Sequence, residues 1–264
     1  MSFWGRISIL DVRPKHADVA ELVDAQVSEA CGRKAVEVRF FSSAPTLSCR
    51  GLTVREGFFY RTMRTEFINA IRSNQAAFGL AIHEETIEIL AEYFDLVQSN
   101  NPLLHLVAPC SPEEFATRHI LEALTLLEYL PKNARFADVG AGAGLPSIPC
   151  LIVRDDLRAT LIESKEKKAR FLNAAISELA LTEQAAVVNR QFEETSAGDA
   201  RFITCRALDK FTEKLPRLLK WRGDRKLLFF GGPALGEEMR RIGVKVEANL
   251  MPLSEQRFLY VATQ

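Results

Sequence analysis

The stretch RFADVGAGAGLPSIP, residues 135–149, places Gly140, Gly142 and Gly144 directly behind an apolar run that carries Asp138. A strand that enters a tight turn and then a helix needs glycine where φ is positive or where a ligand must touch the backbone. RFADV has the character of such a strand, and a helix is expected from about Pro146. Its first N–H groups lack intrahelical partners and its dipole end is positive, so a polar or anionic ligand edge placed there gains roughly 0.3–1 kcal/mol. Roughly 20 residues past the glycines, Glu163 closes the next strand, where a carboxylate can accept both hydroxyls of a ribose. Strand, bare loop and acidic strand end together predict an adenosine cofactor at the carboxyl ends of a parallel sheet.

The spacing selects among cofactors. A dinucleotide site wants G-x-G-x-x-G, with the pyrophosphate over the helix start. Here the order is D-x-G-x-G-x-G, and nothing in the chain reads as a second nicotinamide domain. The pattern resembles motif I of the S-adenosylmethionine-dependent methyltransferases.

The flanking chain supports an α/β architecture. FINAIRSNQAAFG and HEETIEILAEYFDLVQS set Phe67, Ile71, Ile87, Leu90, Ala91, Phe94 and Val97 at three- and four-residue spacings, the mark of amphipathic helices. SPEEFATRHILEALTLLEYLP opens with a capping box, Ser111 with Glu114, and has Pro112 at the first helical position. Beyond it, strand-like runs (RFADVG, RATLIES, AAVVNR, RFITCRA, DRKLLFFGG, RFLYVAT) alternate with helical ones, which implies a parallel sheet covered on both faces.

Residues 1–62 differ. They contain apolar residues without a sustained period of 2 or 3.6, so no core is expected in them. The segment ADVAELVDAQVSEACGRKAVEVRFFSSAP resembles the conceptual translation of a leucine transfer-RNA gene, VRF being one spelling of T-loop codons. Residues 1–62 are therefore expected to be a spurious or poorly ordered extension, with Met63 as the true start; the alternative is a genuine N-terminal extension. Residues 63–130 form a helical N-terminal subdomain in this reading, and residues 131–264 the cofactor-binding domain.

Composition limits the function classes. Lys plus Arg equals Asp plus Glu at 34 each, and from residue 63 onward the balance is 25 basic to 27 acidic, so any nucleic-acid binding must rest on a local patch. No apolar run approaches the ~18 residues of a membrane span, and no secretory signal is present, which predicts a cytoplasmic location and no membrane partner. Five scattered cysteines without a C-x-x-C pair are expected to be buried thiols rather than a disulfide framework or a metal site.

Five further segments sharpen the resemblance: RHILEA, FADVGAGAGLPSIP, LIESKEKKARFL, NRQFEE and TCRAL occur in the order and spacing of the RsmG family, also called GidB. The similarity covers roughly residues 64–264. It implies a Rossmann-like class I methyltransferase fold, a mostly parallel sheet flanked by helices behind a small helical subdomain. It also implies S-adenosyl-L-methionine as cofactor and 7-methylguanosine formation in 16S ribosomal RNA, on naked RNA or the 30S subunit, by a chain expected to act as a monomer. Carried over position by position, the cofactor contacts fall on Gly140 and Leu145 in the loop, Phe192 and Glu193 after the third strand, and Arg206 after the fourth. Asp138, Gly142, Gly144 and Glu163, which takes the family's usual Asp position, complete the set. Departures fall toward the substrate side: Asn101 is kept, but Pro102 stands at a usual Lys, His105 at a usual Asn and Phe230 at a usual Lys.

Methylation of the purine seven-position nitrogen needs no proton removed first, so positioning should supply most of the rate. No catalytic triad or H-E-x-x-H pattern is present. Arg118, His119 and Arg206 are the catalytic candidates, although a lone His equally well packs in a core. Lys165, Lys167, Lys168 and Arg170 form a basic cluster suited to RNA phosphates, or else a solvated helix face. Two other classes stay open: a noncatalytic ribosome-assembly factor on a vestigial methyltransferase fold, and an NAD-dependent dehydrogenase.

Overall fold

The computed structural model describes residues 54–206 and 211–262, with side chains from 61 onward. The expectations for residues 1–53, Cys31 and Cys49 among them, lie outside the described residues. The N-terminal part is helical. Helix α1 (Val54–Asn74) leads through a 3-10 turn and Gly79 to α2 (Glu84–Leu104). Helix α3 is composite: an α turn (Pro112–Glu114), a π-helical stretch (Phe115–Leu121), a second α turn (Glu122–Leu124) and a 3-10 end (Thr125–Tyr129). The boundary expected at residues 62 and 63 thus falls inside α1. The capping box forms as expected, Ser111 Oγ accepting from Glu114 N at 3.1 Å while Glu114 Oε2 accepts from Ser111 N at 3.3 Å.

Seven strands follow: β1 (Arg135–Val139), β2 (Arg158–Ile162), β3 (Ala185–Val188), β4 (Phe202–Cys205), β5 (Lys226–Gly231), β6 (Val246–Leu250) and β7 (Phe258–Ala262). They are joined by α4 (Ser147–Val153), α5 (Glu166–Glu178), α6 (Phe211–Arg222) and α7 (Pro233–Arg241). The sheet order is β3-β2-β1-β4-β5-β7-β6. Strands β1 to β5 are mutually parallel, and β7 inserts antiparallel between β5 and β6. The chain reverses direction away from β1 on both sides, and such a switch point opens a crevice at the carboxyl ends of the strands.

Both faces of the sheet are buried, as a parallel sheet requires. On β5, Leu228 and Phe230 point into one core with Leu259 and Val261 of β7, while Leu227 and Phe229 point into the other with Tyr260 and Ala262. The first core also takes in the N-terminal helices. Phe67 of α1 stacks on Phe94 of α2 with centroids 4.7 Å apart, and Phe115 of α3 meets Phe94 edge-on at 5.2 Å. All three rings are almost fully excluded from water, each stabilising the packing by roughly 1.5–3 kcal/mol. The helices are therefore a layer on the sheet, sharing its core. Among the described cysteines, Cys150 and Cys205 are buried and Cys110 is half-buried.

Candidate functional site

The loop after β1 is fixed by its own backbone and by Glu163. Gly140 N and Ala141 N both donate to Ile162 O, at 2.9 and 3.2 Å, tying the loop to the end of β2. The next residue, Glu163, turns its carboxylate back: Oε2 accepts from Gly142 N at 2.9 Å and Oε1 from Lys165 N at 2.8 Å. This carboxylate bridges the glycine loop and the start of α5, and it is only 5% exposed. From the other side, Tyr93 of α2 donates its hydroxyl to Ala143 O at 2.9 Å.

The glycines divide their roles. All three have positive φ, at 73°, 56° and 93° for Gly140, Gly142 and Gly144. A Cβ on Gly142 would meet only Gly140 O, at 3.7 Å, so its open side faces free space. A Cβ on Gly144 would lie 2.4 Å from Ile148 Cδ1 and 3.2 Å from Leu172 Cδ2, so this glycine lets the loop pass between α4 and α5. Leu145, 7% exposed, packs in the same core. Asp138 is fully buried beneath the loop, where its Oδ2 accepts from Ser147 Oγ at 2.6 Å and Oδ1 has no partner. Burial pushes its carboxyl up to about 7, with the Glu163 charge adding to the shift against the Ser147 hydrogen bond. Asp138 and Gly144 thus shape the loop from below, Gly140 and Gly142 keep part of their surface exposed, and Glu163 braces the loop from a buried position.

The cleft at the carboxyl ends of β1 and β2 is walled by Val139, Gly140 and Ile162 and closed by Gln191, Phe192 and Glu193 after β3. Phe192 is held edge-on against Trp221 at 5.7 Å, and Trp221 Nε1 donates to Thr195 O at 2.7 Å. Glu193 pairs with Arg217 at 3.2 Å on the rim. Ser164, Arg190 and Lys214 also line the cleft, so apolar surface from Val139, Ile162 and Phe192 meets polar and charged edges that include the Glu193 carboxylate; such a mixed concave lining fits a flat heterocycle joined to a ribose, as in an adenosine cofactor.

A second constellation, which the sequence did not disclose, lies where α3 meets the ends of β4 and β7. Glu122 is 2% exposed, and its carboxylate accepts from Arg206 Nη2 at 3.2 Å and Arg257 Nε at 2.6 Å. Arg206 Nη2 also donates to Arg118 O. The Arg206 guanidinium lies 5.3 Å from the centroid of the Phe230 ring, so the aromatic residue standing where a Lys was expected becomes a seat for this cation. Burial, followed by the charges of Arg206, Arg118 and Arg257, holds the His119 imidazole down to about 3. His119 is therefore neutral at physiological pH, and its ring packs edge-on against Phe115 at 5.2 Å. Arg118 itself is surface-facing and paired with Glu114 at 3.2 Å. The π-helical stretch carries both Arg118 and His119, and such wide turns frequently occur at functional sites.

The basic cluster at the start of α5 does not act as one unit. Lys168 donates to His105 O at 3.0 Å, bonding the cluster to the turn after α2, where Asn101 Oδ1 also accepts from Val107 N at 3.0 Å. Arg170 pairs with Glu166 at 2.5 Å. Lys165 and Lys167 remain exposed.

The family model for GidB, rRNA small subunit methyltransferase G, matches residues 86–245. The curated relatives carry the description ribosomal RNA small subunit methyltransferase G. That of Sorangium cellulosum is 33% identical over 196 residues, 71% of this chain and 79% of the relative. That of Neisseria meningitidis is 35% identical over 153 residues, 58% of this chain and 72% of the relative. That of Paracoccus denitrificans is 37% identical over 144 residues, 54% and 71% of the two chains.

Proposed function

Because the chain belongs to the GidB family of ribosomal RNA small subunit methyltransferases, we propose that it transfers the methyl group of S-adenosyl-L-methionine to the purine seven-position nitrogen of a guanosine in 16S ribosomal RNA. The observation that carries the reading is the cleft in which Gly140, Phe192 and Glu193 meet beside the braced carboxylate of Glu163. In this reading Glu163, whose two oxygens each accept one backbone N–H, takes the ribose hydroxyls with its remaining lone pairs, and the apolar part of the cleft wall holds the adenine. The cofactor, when bound, supplies an electrophilic methyl group on a sulfonium.

Side chains near the pocket fit a nucleophile that already has a free lone pair. His119 is neutral and, with its pKa near 3, a poor general base. Asp138 is sealed under the loop, where it accepts from Ser147. What the chain supplies is orientation, along with a fixed cation, Arg206, near electron-rich groups of the reactants. Among the described residues, no helix is long and apolar enough to cross a membrane; the enzyme of this reading acts in the cytoplasm, on the 30S subunit or its RNA. Methyl transfer to 30S particles or extracted 16S RNA, read as 7-methylguanosine by mass mapping, tests the proposal. Product at another atom, or none from a chain that binds the cofactor, overturns it in favour of the assembly-factor reading.

A further inference from the structure

We propose that Glu122 is a positioning residue that acts through Arg206, leaving that guanidinium's Nη1 free to bond an acceptor oxygen of the reactants. The proposal rests on the methyltransferase reading of the site. Three elements converge here. Glu122 comes from α3, Arg206 from the end of β4, and Arg257 from the segment just before β7. Each carboxylate oxygen of Glu122 takes one guanidinium, so neither is left unpaired in a side chain that is 2% exposed.

The result for Arg206 is directional. Its Nη2 is used twice, on Glu122 and on the Arg118 carbonyl, and its Cζ lies over the Phe230 ring. Nη1 is left buried with no partner. A buried guanidinium donor without an acceptor is costly, because its desolvation is not offset. It persists here because Glu122 and the Phe230 ring already compensate the charge. An acceptor brought by a ligand completes the set, and a guanidinium fixed at three points offers it a preorganised bond. Arg257 completes the bracket by holding the second oxygen of Glu122, so the carboxylate cannot swing away from Arg206.

The acceptor belongs either to the cofactor or to the target base, and one set of proteins separates the two. Calorimetric titration with S-adenosyl-L-methionine, and KM and kcat with 30S particles, are measured on the full chain for wild type, Glu122→Gln, Arg206→Met and the double variant. If the acceptor is on the cofactor, Glu122→Gln weakens its binding about tenfold, the equivalent of one charge-assisted hydrogen bond. If it is on the base, cofactor affinity holds and the transfer parameters fall by a similar factor. In either case the Glu122→Gln loss disappears in the Arg206→Met background, since Glu122 then has nothing to position. Glu122→Asp, which keeps the charge, recovers part of the loss.

Losses that multiply in both measurements overturn the proposal, because Glu122 then acts on something other than Arg206. Should Glu122→Gln fail to fold, Arg257→Met loosens the same bracket from the far side, and wild-type values for that variant also overturn the proposal. The calorimetric cycle needs no RNA. A chain that binds cofactor yet leaves 16S RNA unmethylated therefore refutes the substrate reading separately.

Discussion

Substitutions at Gly142 and Gly144 should fail in opposite ways, although the two glycines lie two positions apart in one loop. Gly142 has φ +56°, and an added Cβ meets only Gly140 O at 3.7 Å. Gly142→Val therefore costs the left-handed penalty of about 1–2 kcal/mol without a packing clash. That lowers the melting temperature by roughly 2–8 °C for a domain of this size. Its γ-carbons occupy the space on the open side of the loop beside Glu163, so S-adenosyl-L-methionine binding is lost while the fold survives. Gly144 has φ +93°, and its Cβ would stand 2.4 Å from Ile148 Cδ1 and 2.7 Å from Ile148 Cγ1. Both α4 and α5 are packed behind it, so Gly144→Ala adds an overpacking cost of about 1–3 kcal/mol to the backbone strain. That variant loses stability first, and cofactor affinity only as a consequence. Thermal melting with and without cofactor, together with calorimetric titration, gives both numbers for each protein. Unchanged cofactor affinity in Gly142→Val refutes the assignment of its open face, and a wild-type melting temperature in Gly144→Ala refutes the packing argument.

Three further outcomes follow from the same geometry. Lys165→Ala with Lys167→Ala should flatten the slope of log RNA affinity against log salt by about one to two units, roughly 0.7–0.9 per lost phosphate contact; an unchanged slope makes these lysines a solvated face. Asp138→Asn should change how stability depends on pH. The folded carboxyl is held near 7 against 3.8 for the ordinary group, so the folded state keeps a proton that the unfolded chain releases. Wild-type stability then falls as pH rises from about 4 to about 7, by on the order of 4 kcal/mol, and levels off above that. Asn retains the acceptor for Ser147 and removes the slope, which denaturant unfolding at pH 5 and pH 8 would show; identical slopes in both proteins contradict the burial argument. A chain beginning at Met63 lacks the start of α1, yet keeps Arg64 with its partners Glu88 and Asp95 and the buried Phe67. It should fold and bind cofactor with wild-type affinity, and an unfolded circular-dichroism spectrum would defeat the idea that residues 1–62 are dispensable.

The parts legible in the sequence are those whose physics is local. Positive φ at Gly140, Gly142 and Gly144, the capping box at Ser111, and the buried stripe from Phe67 to Val97 each depend on neighbours a few positions away. Strands β5 and β7 announce themselves because both faces are covered and the runs are continuously apolar. Strand β6 does not: it lies on the sheet edge, alternates poorly in burial, and among the described strands pairs only with β7. The π-helical stretch is also out of reach, since RHILEA fits an ordinary helical period. Glu122 is the clearest case. An acid on an amphipathic helix ordinarily signals solvent, and only the fold brings it Arg206 and Arg257, 84 and 135 positions away.

That difference in sequence range has a mechanical consequence. The cofactor side is braced by the glycine loop, the ends of β2 and β3, and Glu163, all within one parallel sheet. The opposite side depends on how α3 sits over that sheet, because Glu122 and His119 both belong to α3. The seat of α3 is aromatic: Phe115 packs on Phe67, Tyr93, Phe94 and His119 itself. Tyr93 in turn bonds the carbonyl of Ala143 in the glycine loop. The sheet carries Arg206 at the end of β4, beside β1, and α3 sets the orientation of its guanidinium through Glu122 and the Arg118 carbonyl. A cavity opened at Phe67 or Phe94 would loosen α3 and, through Glu122, tilt the Arg206 guanidinium, while Glu163 stayed in register at the end of β2. Methyl transfer, which needs nucleophile, methyl carbon and sulfur in line, is sensitive to displacements of about 1 Å, whereas cofactor binding tolerates them.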